Sequence, residues 1–309
     1  MALHSDELTI DVPLVRRLLA QSLPQFAALP VDPLSSTGSS NVLFRLGEGL
    51  LVRLPRQPGG SATIEKEARW VPLIAGGVSV EVPETVAIGE PGFGYGERWS
   101  VTRWIGGGTP AVPWDATGQD SSRALAEDLA RFVAQVRAIP VPMAALEDPA
   151  LSWYRGGPLA VLDEDFRDAV DACRGIAGLD LDLPRAIDVW ETALAAEQGV
   201  TTPSTWLHGD LLAENLLVRD RMLAAVLDFG GLAVGDPTVD LVVAWELLDR
   251  EGRHAFRAAL DIDDESWARS KGWALLIAII TFPYYWDAMP VRCAARHALA
   301  STVLAESPT

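Results

Sequence analysis

The side chains best suited to chemistry lie close together in His208-Gly209-Asp210-Leu211-Leu212-Ala213-Glu214-Asn215 and, a short way on, Asp228-Phe229-Gly230. Two carboxylates and an amide supply hard oxygen atoms, the donors that Mg²⁺ prefers. Asp228 can ligate through its carboxylate and Asn215 through its amide carbonyl. Asp210, left off the metal, can accept a hydrogen bond and then the proton from an attacking hydroxyl. Phosphoryl transfer asks for little more than this: charge neutralisation on the phosphate oxygens and an oriented nucleophile.

Such groups work only if they are held still. Trp206-Leu207, Leu216-Leu217-Val218 and Ala225-Val226-Leu227 read as short strands around a tight loop, which would fix Asp210 and Asn215 and bring Asp228 to the same space. This β-rich island sits among helical stretches expected at 119–138, 184–197, 237–249, 252–260, 264–281 and 290–305. The first hundred residues differ. A helix capped by Asp11 runs to Ser22, a hairpin pairs Val42–Leu46 with Leu50–Leu54, and a helix over 64–75 closes at Gly76-Gly77. Strands are expected at 80–88 and 99–105, on either side of the glycine-rich turn at 92–96. Gly106-Gly107-Gly108 marks the change in character.

The pattern around Asp210 resembles the protein-kinase catalytic loop, H-R-D-L-x-x-x-N followed by D-F-G. With Gly209 in place of the arginine it is closer to H-G-D-x-x-x-x-N, and on these residues the chain resembles the aminoglycoside and macrolide phosphotransferase family. The likeness extends over residues 34 to about 250. It implies an α+β, protein-kinase-like bilobal fold: an N-terminal antiparallel β-sheet lobe with one main helix over 1–103, and a larger helical lobe over 104–309. It implies ATP or GTP as phosphate donor, Mg²⁺ as cofactor, and a small-molecule alcohol as acceptor, with Asp210 catalytic and Asn215 and Asp228 on the metal.

The same resemblance assigns further residues. Arg53 stands where the family has its phosphate-contacting lysine, and Glu67 where the ion-pair partner belongs, with Glu65 as rival. Gly38, Ser39 and Ser40 would cover the phosphates with main-chain N–H groups. Arg103, Trp104 and Ile105 resemble the hinge that pairs with a purine through its backbone. His208 would brace the loop, and Asp240, in Gly235-Asp236-Pro237-Thr238-Val239-Asp240, would tie the following helix to it. Aminoglycosides lead as acceptors, ahead of macrolides. Other readings are a metabolic kinase for a choline-like alcohol, an amino alcohol or a sugar, and a nucleotide-binding protein without catalysis. The acidic cluster Asp261, Asp263, Asp264 and Glu265 could meet a cationic acceptor, although an acidic helix start is the commoner explanation. Trp114, Trp153, Tyr154, Trp245, Tyr284, Tyr285 and Trp286 could line an apolar cleft or simply fill core.

Composition narrows the alternatives. With 42 acidic against 25 basic residues and a net charge of −17, the chain repels nucleic-acid backbones and fits no DNA- or RNA-binding role. Hydrophobic residues at 49% support a sizeable core. The apolar run from Trp273 to Trp286 is broken by Pro283 and falls short of the ~20 residues a bilayer needs, so no membrane association is expected. Cys173 and Cys293 form neither a disulfide framework nor a zinc site. The N-terminus lacks a signal-peptide pattern, and a cytoplasmic monomer or dimer is the expectation.

Overall fold

The computed structural model describes residues 6–34, 40–112, 114, 119–200 and 204–306. Gly38 and Ser39 lie outside the described residues. The N-terminal lobe begins with α1 (Val12–Ser22), whose first turn is closed by the Asp11 carboxylate accepting from the Leu14 N–H at 2.8 Å. Leu14, Val15, Leu18 and Leu19 recur at helical spacing and are all buried. They pack on an antiparallel sheet of order β1-β2-β3-β5-β4, formed by β1 (Val31–Leu34), β2 (Asn41–Leu46), β3 (Leu50–Pro55), β4 (Thr85–Gly89) and β5 (Trp99–Arg103). One core cluster joins Leu18 and Leu19 to Phe44, Val52, Leu54, Trp99 and Val101.

β1 is an edge strand absent from the sequence expectation. It pairs Val31 with Leu46, and its Pro33 lacks the N–H that a central strand would need. The strand expected over 80–88 starts only at Thr85. Before it, Glu81 pairs with the far lobe: its N–H donates to the Ala224 carbonyl, and its own carbonyl accepts from Val226, both at 3.0 Å. This stitch joins the sheet lobe to the hairpin that precedes Asp228.

Helix α2 (Ser61–Ala75) begins on a carboxylate from elsewhere in the fold. Glu97 accepts from the Gly59 and Ser61 N–H groups at 3.0 and 2.8 Å, satisfying donors that a helix start otherwise leaves open. Trp70, Val71 and Ile74 of α2 belong to the core of the helical lobe, so this helix spans the junction.

The helical lobe comprises α3 (Gln119–Ala138), α4 (Met143–Leu146), α5 (Asp163–Cys173), α6 (Leu183–Glu197), α7 (Val242–Leu247), α8 (Arg250–Ala259), α9 (Asp264–Tyr285) and α10 (Pro290–Ala305). Two small antiparallel ribbons lie within it, β6 (Thr205–Leu207) with β9 (Ala233–Gly235), and β7 (Leu216–Arg219) with β8 (Met222–Val226). The single helix expected over 237–249 is divided. Asp236 caps a 3₁₀ stretch over Pro237–Leu241, α7 follows, and extended Leu248 and Asp249 end it before Asp249 caps α8.

Helix α9 runs through Pro283 instead of stopping at 281. Proline cannot donate to the Ile279 carbonyl one turn back, and the Cys173 thiol approaches that oxygen at 3.7 Å. Asp263 caps the start of α9, accepting from the Ser266 N–H at 2.6 Å, and Asp264 pairs with Arg257, so these two carboxylates of the acidic cluster are engaged at the helix start. Among the described residues no helix is long and apolar enough to cross a membrane.

Candidate active site

The residues of the His208–Asn215 loop and Asp228 converge because β7 and β8 form a hairpin with its open end toward them. Leu216 pairs with Val226, and one step outward the Leu227 N–H donates to the Asn215 carbonyl at 2.7 Å. Asn215 and Asp228 therefore emerge side by side. The Asn215 amide donates to the Asp210 carbonyl at 2.8 Å and to Asp210 Oδ2 at 3.1 Å, leaving its own carbonyl oxygen on the opposite side of the amide. Asp228 has left-handed backbone, φ +54°, and its Oδ1 accepts from the Gly230 N–H at 3.3 Å.

His208 is wholly buried, and both ring nitrogens are engaged. Nε2 lies 2.9 Å from the Leu227 carbonyl, which can only accept, while Nδ1 accepts from the Asp210 N–H at 3.2 Å. The ring is thus the neutral Nε2–H tautomer, bracing Asp210 against Asp228. Buried Asp240 completes the brace: its two oxygens accept from the His208 and Gly209 N–H groups at 2.7 and 2.8 Å. Gly209 has φ +78°, and a Cβ there would meet the Gly231 carbonyl oxygen at 2.3 Å.

The sheet lobe contributes a fork of charge. Arg53 on β3 pairs in bidentate fashion with Glu67 on α2, at 2.6 and 3.2 Å, and its Nη2 is 3.5 Å from Asp228. Burial alone would lower the Arg53 pKa; Glu67 and then Asp228 outweigh it and hold the guanidinium charged. Glu65 is engaged elsewhere, with Arg98 at 3.1 Å on the surface. Ser40 lies at the start of β2, where its carbonyl accepts from the Arg56 N–H at 2.9 Å. At the end of β5 the Arg103 side chain pairs with Glu84 at 2.5 Å, and the Trp104 N–H donates to the Gly49 carbonyl at 2.9 Å. The chain leaves the sheet through Ile105.

Two residues that sequence reasoning did not single out stand in the site. Lys66 donates to the Gly230 carbonyl at 2.6 Å, holding the loop after Asp228 to α2; burial lowers its pKa, and Glu67 and Asp228 only partly oppose this. Arg155 pairs with Asp210 Oδ1 through Nη1, which also reaches the Gly209 carbonyl at 3.2 Å. Burial by itself would raise the Asp210 pKa. The adjoining charge and hydrogen bond of Arg155, and the charge of Arg296, more than reverse this and hold the carboxyl below its ordinary value.

Groups from the sheet and from the helical part thus meet at the open end of the β7–β8 hairpin. The Asp210 carboxylate and the Asn215 amide lie beside Asp228, which is backed by the buried Arg53–Glu67 pair. The model of the phosphotransferase enzyme family, APH, matches residues 31–273. The chain belongs to that family. Members of known structure share its fold. The GDP complex of wild-type aminoglycoside 2'-phosphotransferase-IIIa has a TM-score of 0.68 at 20% identity, covering 96% of this chain and 99% of its own. The GDP and kanamycin complex of APH(2")-IIia gives 0.67 at 20%, covering 94% and 97%. Macrolide 2'-phosphotransferase type I gives 0.64 at 18%, covering 98% and 99%. No sequence among the curated proteins matches this chain.

A cavity of about 680 Å³ opens between α5 and α9, with walls that include Leu162, Ala169, Leu276 and Ile280. Tyr154 and Tyr284 also line it, and Asp165 supplies a carboxylate. Of the other aromatics, Trp245 is core, its indole N–H donating to Ser270 at 2.9 Å, and Trp153 lies against Tyr154.

Proposed function

We propose that this phosphotransferase moves the γ-phosphate of ATP or GTP to a hydroxyl of a small molecule, with Mg²⁺ as cofactor. The observation that carries the reading is the meeting of Asp210–Asn215 with Asp228–Arg53–Glu67 at the open end of one hairpin.

The donor set fits magnesium. Asn215 and Asp228 offer one amide and one carboxylate oxygen, and Mg²⁺ characteristically takes few protein ligands, completing its shell with water and phosphate oxygens. Accordingly, no cluster of His, Cys, Asp or Glu large enough to form a metal cage occurs among the described residues. Bound there, the ion would neutralise phosphate oxygens. Arg53 adds positive charge on the same side, and Lys66 keeps the Asp228 loop in place. Asp210, aimed by His208 and Asn215, accepts the hydrogen bond of the acceptor hydroxyl and orients it toward the phosphate. The main chain around Arg103 and Ile105 would meet the purine.

Aminoglycosides are the first reading for the acceptor. The largely apolar cavity between α5 and α9, whose Tyr154 bonds the Arg155 that pairs with Asp210, favours a second, a bulky alcohol of the macrolide kind. Asp210→Ala decides the central assignment. Turnover of nucleotide with a hydroxylated acceptor panel should vanish while Mg-nucleotide affinity, measured by calorimetry, stays near wild type. Turnover close to wild type would remove Asp210 from its role.

A further inference from the structure

We propose that Arg155 is a positioning residue for phosphoryl transfer: it fixes the plane of the Asp210 carboxylate, so that the acceptor hydroxyl is presented in line with the phosphate. The inference rests on Asp210 being the group that receives the hydroxyl, and it holds for any acceptor.

Asp210 is held at two levels. Its main chain is fixed from within the loop, since its N–H donates to His208 Nδ1 at 3.2 Å and its carbonyl accepts from the Asn215 amide at 2.8 Å. The carboxylate can still turn about its own bonds, and its plane needs a contact at each oxygen. Asn215 supplies one by donating to Oδ2 at 3.1 Å, and Arg155 supplies the other by donating to Oδ1. A carboxylate oxygen accepts more than one hydrogen bond, so both retain a site for a hydroxyl. Arg296, whose charge also reaches Asp210, is bound to Glu214 at 2.8 Å and to Glu246 at 2.5 Å, which leaves this task to Arg155.

The segment that carries Arg155 is fitted closely to this loop. The Trp153 ring lies so near the turn that a Cβ on Gly209 or Gly231 would run into it. The Gly156 carbonyl accepts from the Asp236 N–H at 2.9 Å, which ties the segment to the residue capping the 3₁₀ stretch beyond β9. Arg155 Nε donates to the Tyr154 hydroxyl at 2.8 Å, Nη1 donates to the Gly209 carbonyl at 3.2 Å, and the guanidinium carbon lies 4.8 Å from the Trp153 ring centre. These contacts aim the fork so that one nitrogen spans the Gly209 carbonyl and the Asp210 carboxylate. Misplacing a reacting group by about 1 Å costs on the order of 10²-fold in rate, and turning about the last side-chain bond moves an unheld carboxylate oxygen on that scale.

Transfer from Mg-ATP and Mg-GTP is measured for the wild type, Arg155→Met, Arg155→Ala, Arg155→Lys and Asp210→Ala, with kanamycin, the aminoglycoside of one similar structure, as acceptor. Water is also a hydroxyl that Asp210 can orient, so phosphate release without added acceptor supplies a rate that does not depend on the natural alcohol. In the Met and Ala variants kcat should fall about tenfold or more, while Mg-ADP affinity by calorimetry stays within about twofold of wild type. Arg155→Lys keeps the charge without the fork and should also lose kcat. Retained Mg-ADP binding shows that a variant folds. Millimolar guanidinium should restore part of the rate to Arg155→Ala and none to Asp210→Ala, a recovery that a purely structural role would not produce. An unchanged or higher kcat in the folded variants overturns the proposal, the higher value marking Arg155 as a plug on the carboxylate of the free enzyme. A rise in the kanamycin KM alone also overturns it and makes Arg155 part of the acceptor site. Turnover surviving in Asp210→Ala, or no transfer to kanamycin or water by the wild type, would instead defeat the reading beneath, so the two failures are distinct.

Discussion

Replacing Arg53 with methionine leaves the Glu67 carboxylate buried without its bidentate partner. The two side chains are 8% and 5% exposed, so solvent screens neither. Removing one member of such a pair costs about 3–5 kcal/mol, whereas replacing both by apolar groups of similar volume is close to neutral. Lys66 stands next to Glu67 and offsets part of the loss, which sets the expectation for Arg53→Met near the lower end, about 3 kcal/mol. The double variant Arg53→Met/Glu67→Leu should return to within about 1 kcal/mol of wild type in urea denaturation. Nucleotide binding should not return with it. If Arg53 faces the phosphates as well as Glu67, Mg-ATP affinity falls about tenfold or more in the single variant and stays low in the double. A loss of stability below about 1 kcal/mol in Arg53→Met would refute the reasoning about the buried pair. Recovery of both stability and affinity in the double variant would reduce Arg53 to a structural role.

Gly209→Ala should cost about 2 kcal/mol or more in thermal unfolding and lower kcat about tenfold, because the added methyl meets the Gly231 carbonyl and strains a left-handed residue beside Asp210; wild-type kinetics would show that the loop can yield. Asp240→Asn offers a single acceptor oxygen where the His208 and Gly209 N–H groups need two, and should lower stability by about 2–3 kcal/mol in denaturant titration. An unchanged unfolding midpoint would mean that water replaces the carboxylate. Lys66→Met removes the hydrogen bond to Gly230 and should weaken Mg-nucleotide binding about tenfold while turnover at saturation changes less. The reverse pattern, intact binding with a fall in kcat, would place Lys66 on the acceptor side.

The meeting of Asp210, Asn215 and Asp228 was legible because its information is local. The tight loop, the hairpin and the spacing from Asp210 to Asn215 and Asp228 lie within a few turns of chain, and residue type alone limits what they can do. The α1, α2, α9 and α10 helices were legible for a similar reason, since caps and apolar periodicity are short-range signals. The reading of α9 stopped too early at Pro283, because the compensating contact comes from Cys173, far away in sequence. β1 escaped notice as a four-residue edge strand containing proline. Helix α5 carried a readable signal, Phe166, Ala169, Val170 and Cys173 on one face, and was not picked out. Lys66 and Arg155 could not have been read in this way. Their partners lie 164 and 55 residues along the chain, and no local pattern tells an arginine paired with the Asp210 carboxylate from one on the surface.

Asp228 adopts φ +54°, a conformation that aspartate and asparagine tolerate and most other residues resist. Its own Oδ1 supports the turn through the Gly230 N–H. Asparagine at this position would preserve both the turn and that bond while cancelling one unit of negative charge. Alanine would discard all three together, so of the two exchanges only the amide isolates the carboxylate's charge, the property on which the proposed magnesium site depends.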